Sequence, residues 1–210
     1  MTDQSLINIH RLSITKEELC AHIYPYLMTA EELRGRDPQP HRRIPGTDLE
    51  TVLQISVAGC RGIPAGDLAG LLEQEPDELL DRACRNQQQV PYTLAPLSAL
   101  LGSDPWTAPL VLLLSNQDMM LGSGEILHPG AMAAAAGLLG GRILVIPSSK
   151  HEVLLMSEPE VEPLMVRTVV RTINSSIVSP EDRLSDQVYL YEADSGCFSI
   201  CEEGTVLRSL

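Results

Sequence analysis

Residues 110–156 read LVLLLSNQDMMLGSGEILHPGAMAAAAGLLGGRILVIPSSKHEVLLM, and this stretch decides the fold class. Residues 110–115 (LVLLLS) form an apolar run of strand length, which Asn116, Gln117 and Asp118 end as a turn. The segment EILH, residues 125–128, reads as the close of a second strand. Pro129 then opens a helix, PGAMAAAAGLLG. Its alanines carry high helix propensity, and Gly140 and Gly141 mark its end. Residues 142–146 (RILVI), a PSSK turn and residues 151–156 (HEVLLM) read as a hairpin.

Further along, residues 159–177 hold Val161, Leu164, Met165, Val169 and Ile173 at helical spacing. Residues 188–191 and 197–200 flank Asp194, Ser195 and Gly196 as a last hairpin. Strands that come in pairs between single helices imply an α+β fold. The expected form is a mostly antiparallel sheet with helices packed on one face, preceded by a small helical region.

Upstream, Pro91, Pro96, Pro105 and Pro109 break regular structure, so residues 91–109 read as a Pro-rich linker. It divides a helical N-terminal region, 1–90, from an α+β region, 110–210. In the N-terminal region Thr15 and Glu18 have the spacing of a capping box, with Ile14 and Leu19 as its hydrophobic staple. The stripe Leu19, Ile23, Leu27 continues that helix until Pro25 kinks or shortens it. Leu49, Val52, Leu53 and Val57 favour a helix over a strand for LETVLQISVAG. Residues 64–72 suit another short helix, and Pro76, Asp77 and Glu78 begin a stronger one. Residues 34–46 read as a solvated loop carrying Arg34, Arg36, His41, Arg42 and Arg43.

The net charge is −13, from 28 acidic and 15 basic residues. Such a surface repels phosphate backbones and anionic membranes, so neither nucleic acid nor membrane is expected as a partner. Aromatic residues make up 3% of the chain, too few for a platform that stacks bases. The cysteines number five, with no CxxC pair, which points to free thiols rather than a disulfide framework or structural zinc. The start has no signal-peptide pattern, and no apolar run reaches membrane-spanning length; a soluble, cytoplasmic protein is expected.

The densest polar cluster is Pro147, Ser148, Ser149, Lys150, His151 and Glu152. A serine nucleophile needs a base within reach and a third group to orient that base. Ser148 or Ser149 with His151 supplies the first two, and Ser149, His151 and Glu152 are the candidate catalytic residues. Strand alternation turns Glu152 away from His151, so the orienting carboxylate comes from elsewhere, with Glu125 and Asp186 as candidates. No GxSxG elbow is present, and the bland reading is a hairpin turn. His128 with His151 and Glu125 lacks any metal-binding spacing, and LGSGEILHPG lacks the order of a phosphate loop. No metal or cofactor is expected.

Three segments carry a resemblance: LVLLLSN, then GEILHPGAMAAAAGLLGGRILVIPSSKHEVLLM, then SPEDRLSDQVYLYEADSG. Together they resemble a family of uncharacterised bacterial proteins from gut Firmicutes, a domain of unknown function. The family's pattern runs LYPG, LPSSxHEV, LSDxVYxY. The likeness covers roughly residues 50–200, with Ser115 in place of a threonine and His128 in place of an aromatic residue. It implies the fold and a bacterial origin, and no activity or cofactor. The leading functional expectation is a non-catalytic protein that contacts another protein. The alternatives are a hydrolase around Ser148, Ser149 and His151, and an acidic mimic of nucleic acid.

Overall fold

Strand β1 (Leu6–Asn8) and helix α1 (Lys16–Ala21) open the chain. The computed structural model describes residues 6–8, 14–36, 38–57, 60–102, 110–147, 149–158, 163–176 and 178–201. The capping box forms as expected: Thr15 accepts the Glu18 N–H, and Glu18 accepts the Thr15 N–H. The helix then ends at Ala21, and β2 (Ile23–Thr29) takes over the stripe expected to continue it. Pro25 settles this. It cannot donate within a helix, but β2 lies at a sheet edge, where a missing N–H costs little.

Helix α2 (Ala30–Arg34) and β3 (His41–Arg43) lead to β4 (Leu49–Val57) and β5 (Cys60–Ala65). The expected helix at 49–57 is therefore a strand, which corrects the reading of residues 1–90 as helical. Its residues are almost all buried, being covered on both faces, so apolar side chains appear at helical spacing without a helix. These strands form a five-stranded sheet in the order β1-β5-β4-β2, with β3 also pairing β4. Helices α3 (Leu68–Leu72) and α4 (Pro76–Gln87) follow. Leu79, Leu80 and Ala83 of α4 pack on Ile23, Leu53 and Ile55.

The Pro-rich segment is not a plain linker. It contains β6 (Tyr92–Pro96), an edge strand that tolerates its proline, and α5 (Leu97–Leu101). Pro105 and Pro109 lie outside the described residues. Next come β7 (Val111–Asn116), a 3-10 turn at Ser123–Leu127 where a strand was expected, and α6 (Pro129–Leu139). The chain continues through β8 (Arg142–Ile146), β9 (Val153–Ser157), α7 (Pro163–Ser176), β10 (Tyr189–Glu192) and β11 (Cys197–Ile200). The second sheet is antiparallel throughout, in the order β11-β10-β8-β9-β7-β6. Its helices divide between two faces. Ile143, Val145, Val153 and Leu155 face Met132 and Ala135 of α6, and Leu144 and Ile146 face Val170 of α7. The fold class is α+β, with this departure from helices on one face.

The two sheets share one core, since Leu27 and Leu49 pack in the same cluster as Leu112, Leu114 and Met132. Two polar clasps join them as well. Lys150 Nζ donates to Glu32 Oε1 at 2.8 Å and to the Glu181 carbonyl at 2.6 Å. Asp48 accepts from Ser185 Oγ and from the Tyr189 hydroxyl. Arg42, assigned to a loop by sequence, sits on β3 and pairs with Asp77 and Asp81 of α4. Among the described residues, no helix is long and apolar enough to cross a membrane.

Candidate functional site

The segment PSSKHE is a scaffold in this structure. Ser149 is buried, and its Oγ accepts the His151 backbone N–H at 2.9 Å. The His151 ring is occupied on both sides. Nδ1 accepts the Leu121 N–H at 3.1 Å, which makes Nε2 the donor to Asp182 Oδ1 at 3.0 Å. No ring nitrogen is left to take a proton from Ser149. Glu152 is half-buried, and Asp182, not Glu152, receives the imidazole N–H. Burial pushes the Asp182 carboxyl up, but hydrogen bonds from Ser179 and His151 outweigh it and hold the group below the usual carboxylate range. Asp186 accepts from Asn174 instead. Ser148 lies outside the described residues. His128 spends Nδ1 on the Ala131 N–H and so caps α6, with Tyr92 edge-on to its ring at 4.9 Å. Among the described residues, no three His, Cys, Asp or Glu side chains are grouped to hold a metal ion.

What this scaffold positions is the segment LGSGE, residues 121–125. Gly122 and Ser123 donate their N–H groups to the carbonyls of His151 and Lys150. Ser115 Oγ donates to the same His151 carbonyl at 2.6 Å. The segment presses so closely on its neighbours that only glycine fits. A Cβ on Gly124 would stand 2.4 Å from the Pro25 carbonyl oxygen, and one on Gly122 would stand 2.2 Å from Ser115 Oγ. Where it begins, Met119 and Leu121 adopt positive φ of 54° and 52°. Each costs on the order of 1–3 kcal/mol. Asn116 holds the bend by bonding both the N–H and the carbonyl of Met120.

This packing carries Glu125 into a cleft of about 190 Å³ between the two sheets. Gln54 of β4, Gln87 of α4, and Tyr24 and Arg61 of the first sheet form the opposite wall. Glu125 is 5% exposed, and Gln54 and Gln87 are each 2% exposed. Burial pushes the Glu125 carboxyl up to about 7, against smaller downward pulls from the Gln87 hydrogen bond and the Arg61 charge. Among the described residues, Glu125 Oε2, Gln54 Oε1 and Gln87 Oε1 are buried atoms without a hydrogen-bond partner. At the mouth, Arg61 lies 5.9 Å above the Tyr24 ring and pairs with the exposed Asp118 at 2.8 Å.

The sequence points to Glu125 as an orienting carboxylate and as a weighed metal partner of His128 and His151, and it does not point to Gln54, Gln87, Arg61 or Tyr24 as site residues. A signal existed for one of them: Gln54 is polar in the middle of the apolar LETVLQISV. The others are brought together only by the packing of α4 and the first sheet against the 3-10 turn.

Fold and cleft together describe a two-sheet α+β protein with a buried carboxyl of raised proton affinity between its sheets. The chain belongs to a family of unknown function, DUF5688, which it matches over residues 67–193. No curated protein and no solved structure matches it. The matched region includes Gln87, Asn116, Glu125, His151 and Tyr189 and excludes Tyr24, Gln54 and Arg61, so the family's segment supplies the Glu125 wall and Gln87 of the facing wall, and the preceding sheet supplies the rest.

Proposed function

We propose that the protein binds a small polar molecule in the cleft between its sheets, with Glu125 as the principal anchor. One observation carries this reading: the side chains of Glu125, Gln54 and Gln87, all more than nine-tenths buried, line one cleft together with Arg61 and Tyr24. A cleft lined by a few polar groups, one of them a carboxyl whose proton affinity burial has raised, is the ordinary form of a small-molecule site. The strained turn at Met119 and Leu121 supports the same reading, because backbone strain gathers where a ligand is held. Ligand-observed NMR with amino acids, hydroxy acids, sugars, amines and nucleobases tests it. At least one class should bind, and Glu125→Ala should remove the signal. Binding by no class, or binding indifferent to Glu125, refutes the reading.

A protein-interaction role is the second reading. Leu100, Leu101 and Leu110 favour it, being exposed on and beside α5. Sedimentation tests its simplest form: self-association that Leu101→Asp abolishes supports it, and a monomer at all concentrations removes that form. The hydrolase reading draws no support from the hydrogen bonding of Ser149 and His151.

A further inference from the structure

Among the described residues that line the cleft, Arg61 is the one cation. Strand register sets its position. Tyr24 of β2 pairs with Gln54 of β4, and Arg61 of β5 pairs with Ser56, two residues further along β4. Paired residues, and residues two apart on a strand, share a face, so Tyr24, Gln54 and Arg61 turn to the same side. The Tyr24 ring, with its centroid 5.9 Å from the guanidinium carbon, steadies the side chain there. The guanidinium is under-used in this position. Nη2 donates to Asp118 Oδ2 at 2.8 Å, and among the described residues Nε and Nη1 have no hydrogen-bond partner. Neither is a buried atom, so both are open to an incoming group.

A guanidinium offers forked edges that grip both oxygens of a carboxylate, and Asp118 takes Arg61 by one oxygen. The Arg61 side chain is 17% exposed and its Asp118 partner is 65% exposed. An ion pair so open to water is worth about 0–1 kcal/mol, and a ligand carboxylate can displace it. The rest of the cleft narrows the class. A cation meets the repulsion of Arg61. A dianionic phosphate meets two acidic side chains, Asp118 and Glu125, in a chain of net charge −13. A carboxylate brings one negative charge, and burial favours a protonated, neutral Glu125 beneath it. Val90, Pro91 and Leu121 line the cleft with apolar surface suited to a short hydrocarbon body. The cleft, about 190 Å³, is smaller than the roughly 300–1,000 Å³ of drug-sized sites, so the compound is small.

We infer that the cleft takes a small monocarboxylate, whose two oxygens seat on the Arg61 fork in place of Asp118. This rests on the cleft being the ligand site. Calorimetry at pH 6 with acetate, propionate, butyrate and L-lactate tests it. Propionamide and propylamine match propionate without its negative charge, and inorganic phosphate is a second anion. At least one carboxylate should bind, with the amide, the amine and phosphate at least tenfold weaker. Arg61→Gln should weaken carboxylate binding tenfold or more. Asp118→Asn removes the competing carboxylate and should tighten binding, by up to about fivefold for a pair worth at most about 1 kcal/mol. Melting curves confirm that both variants are folded. If the amide, the amine or phosphate binds as tightly as the carboxylate, or Arg61→Gln binds it as the parent does, the carboxylate assignment falls and the cleft reading stands. If Asp118→Asn weakens binding, the displacement of Asp118 falls with it. The assignment also falls alone if the carboxylates fail and another class from the NMR panel binds through Glu125. If no compound of any class binds, both fall.

Discussion

Replacing Glu125 by Gln should change how stability depends on pH. The carboxyl is buried and its folded-state pKa is raised from 4.5 to about 7. A raised acid favours the folded state while it is protonated. Its contribution is therefore fully present below pH 4.5, declines from there, and is gone once the pH passes 7. The difference in proton affinity, at about 1.4 kcal/mol for each tenfold change, amounts to about 3 kcal/mol. Glutamine fills the same space and does not titrate. Urea unfolding of both proteins at steps between pH 4.5 and 8 isolates this one group, because the other carboxylates cancel in the difference. Stability of the parent relative to Glu125→Gln should fall by about 3 kcal/mol across that range. Parallel curves would show that Glu125 meets water as freely in the fold as in the unfolded chain, and would refute the burial argument.

The inter-sheet clasp should be asymmetric. Glu32→Ala leaves the buried Lys150 ammonium with only the Glu181 carbonyl and should cost about 3–5 kcal/mol, whereas Lys150→Met leaves Glu32 paired to Arg36 and should cost less; urea midpoints compare them. Tyr189→Phe removes a buried hydroxyl from Asp48, which keeps Ser185, so a loss of about 1–2 kcal/mol is expected in the same assay, and a larger loss would mean that Asp48 depends on the phenol. Gly124→Ala pushes a methyl against the Pro25 carbonyl; thermal melting should show a loss of about 1–3 kcal/mol, and no loss would mean that the 3-10 turn shifts easily.

Elements whose evidence is local were legible in the sequence. The Thr15 capping box, the α4 start at Pro76, the helix after Pro129 and the β8–β9 and β10–β11 pairs all stand where short-range chemistry puts them. The α+β class followed from their order. The failures share one cause. Residues 23–29 and 49–57 carry apolar side chains on both faces, because α4 packs on one side and the 3-10 turn on the other, and a doubly covered strand has no period of two to read.

The site divides in the same way. Sequence marked PSSKHE as unusual, and it is: its imidazole, hydroxyl and ammonium are all engaged. Their role as a brace became visible only in three dimensions, because Leu121, Asp182 and Glu32 stand 30, 31 and 118 residues from their partners. The cleft is a tertiary product throughout. Tyr24, Gln54, Arg61, Gln87 and Glu125 come from five separate elements, β2, β4, β5, α4 and the 3-10 turn, and only Gln54 stands out where it lies in the chain. By itself the sequence determined the caps, the turns and the hairpins, since those depend on neighbours a few residues apart. Only the tertiary structure decided which polar groups are buried together, because desolvation depends on what the rest of the chain lays over them.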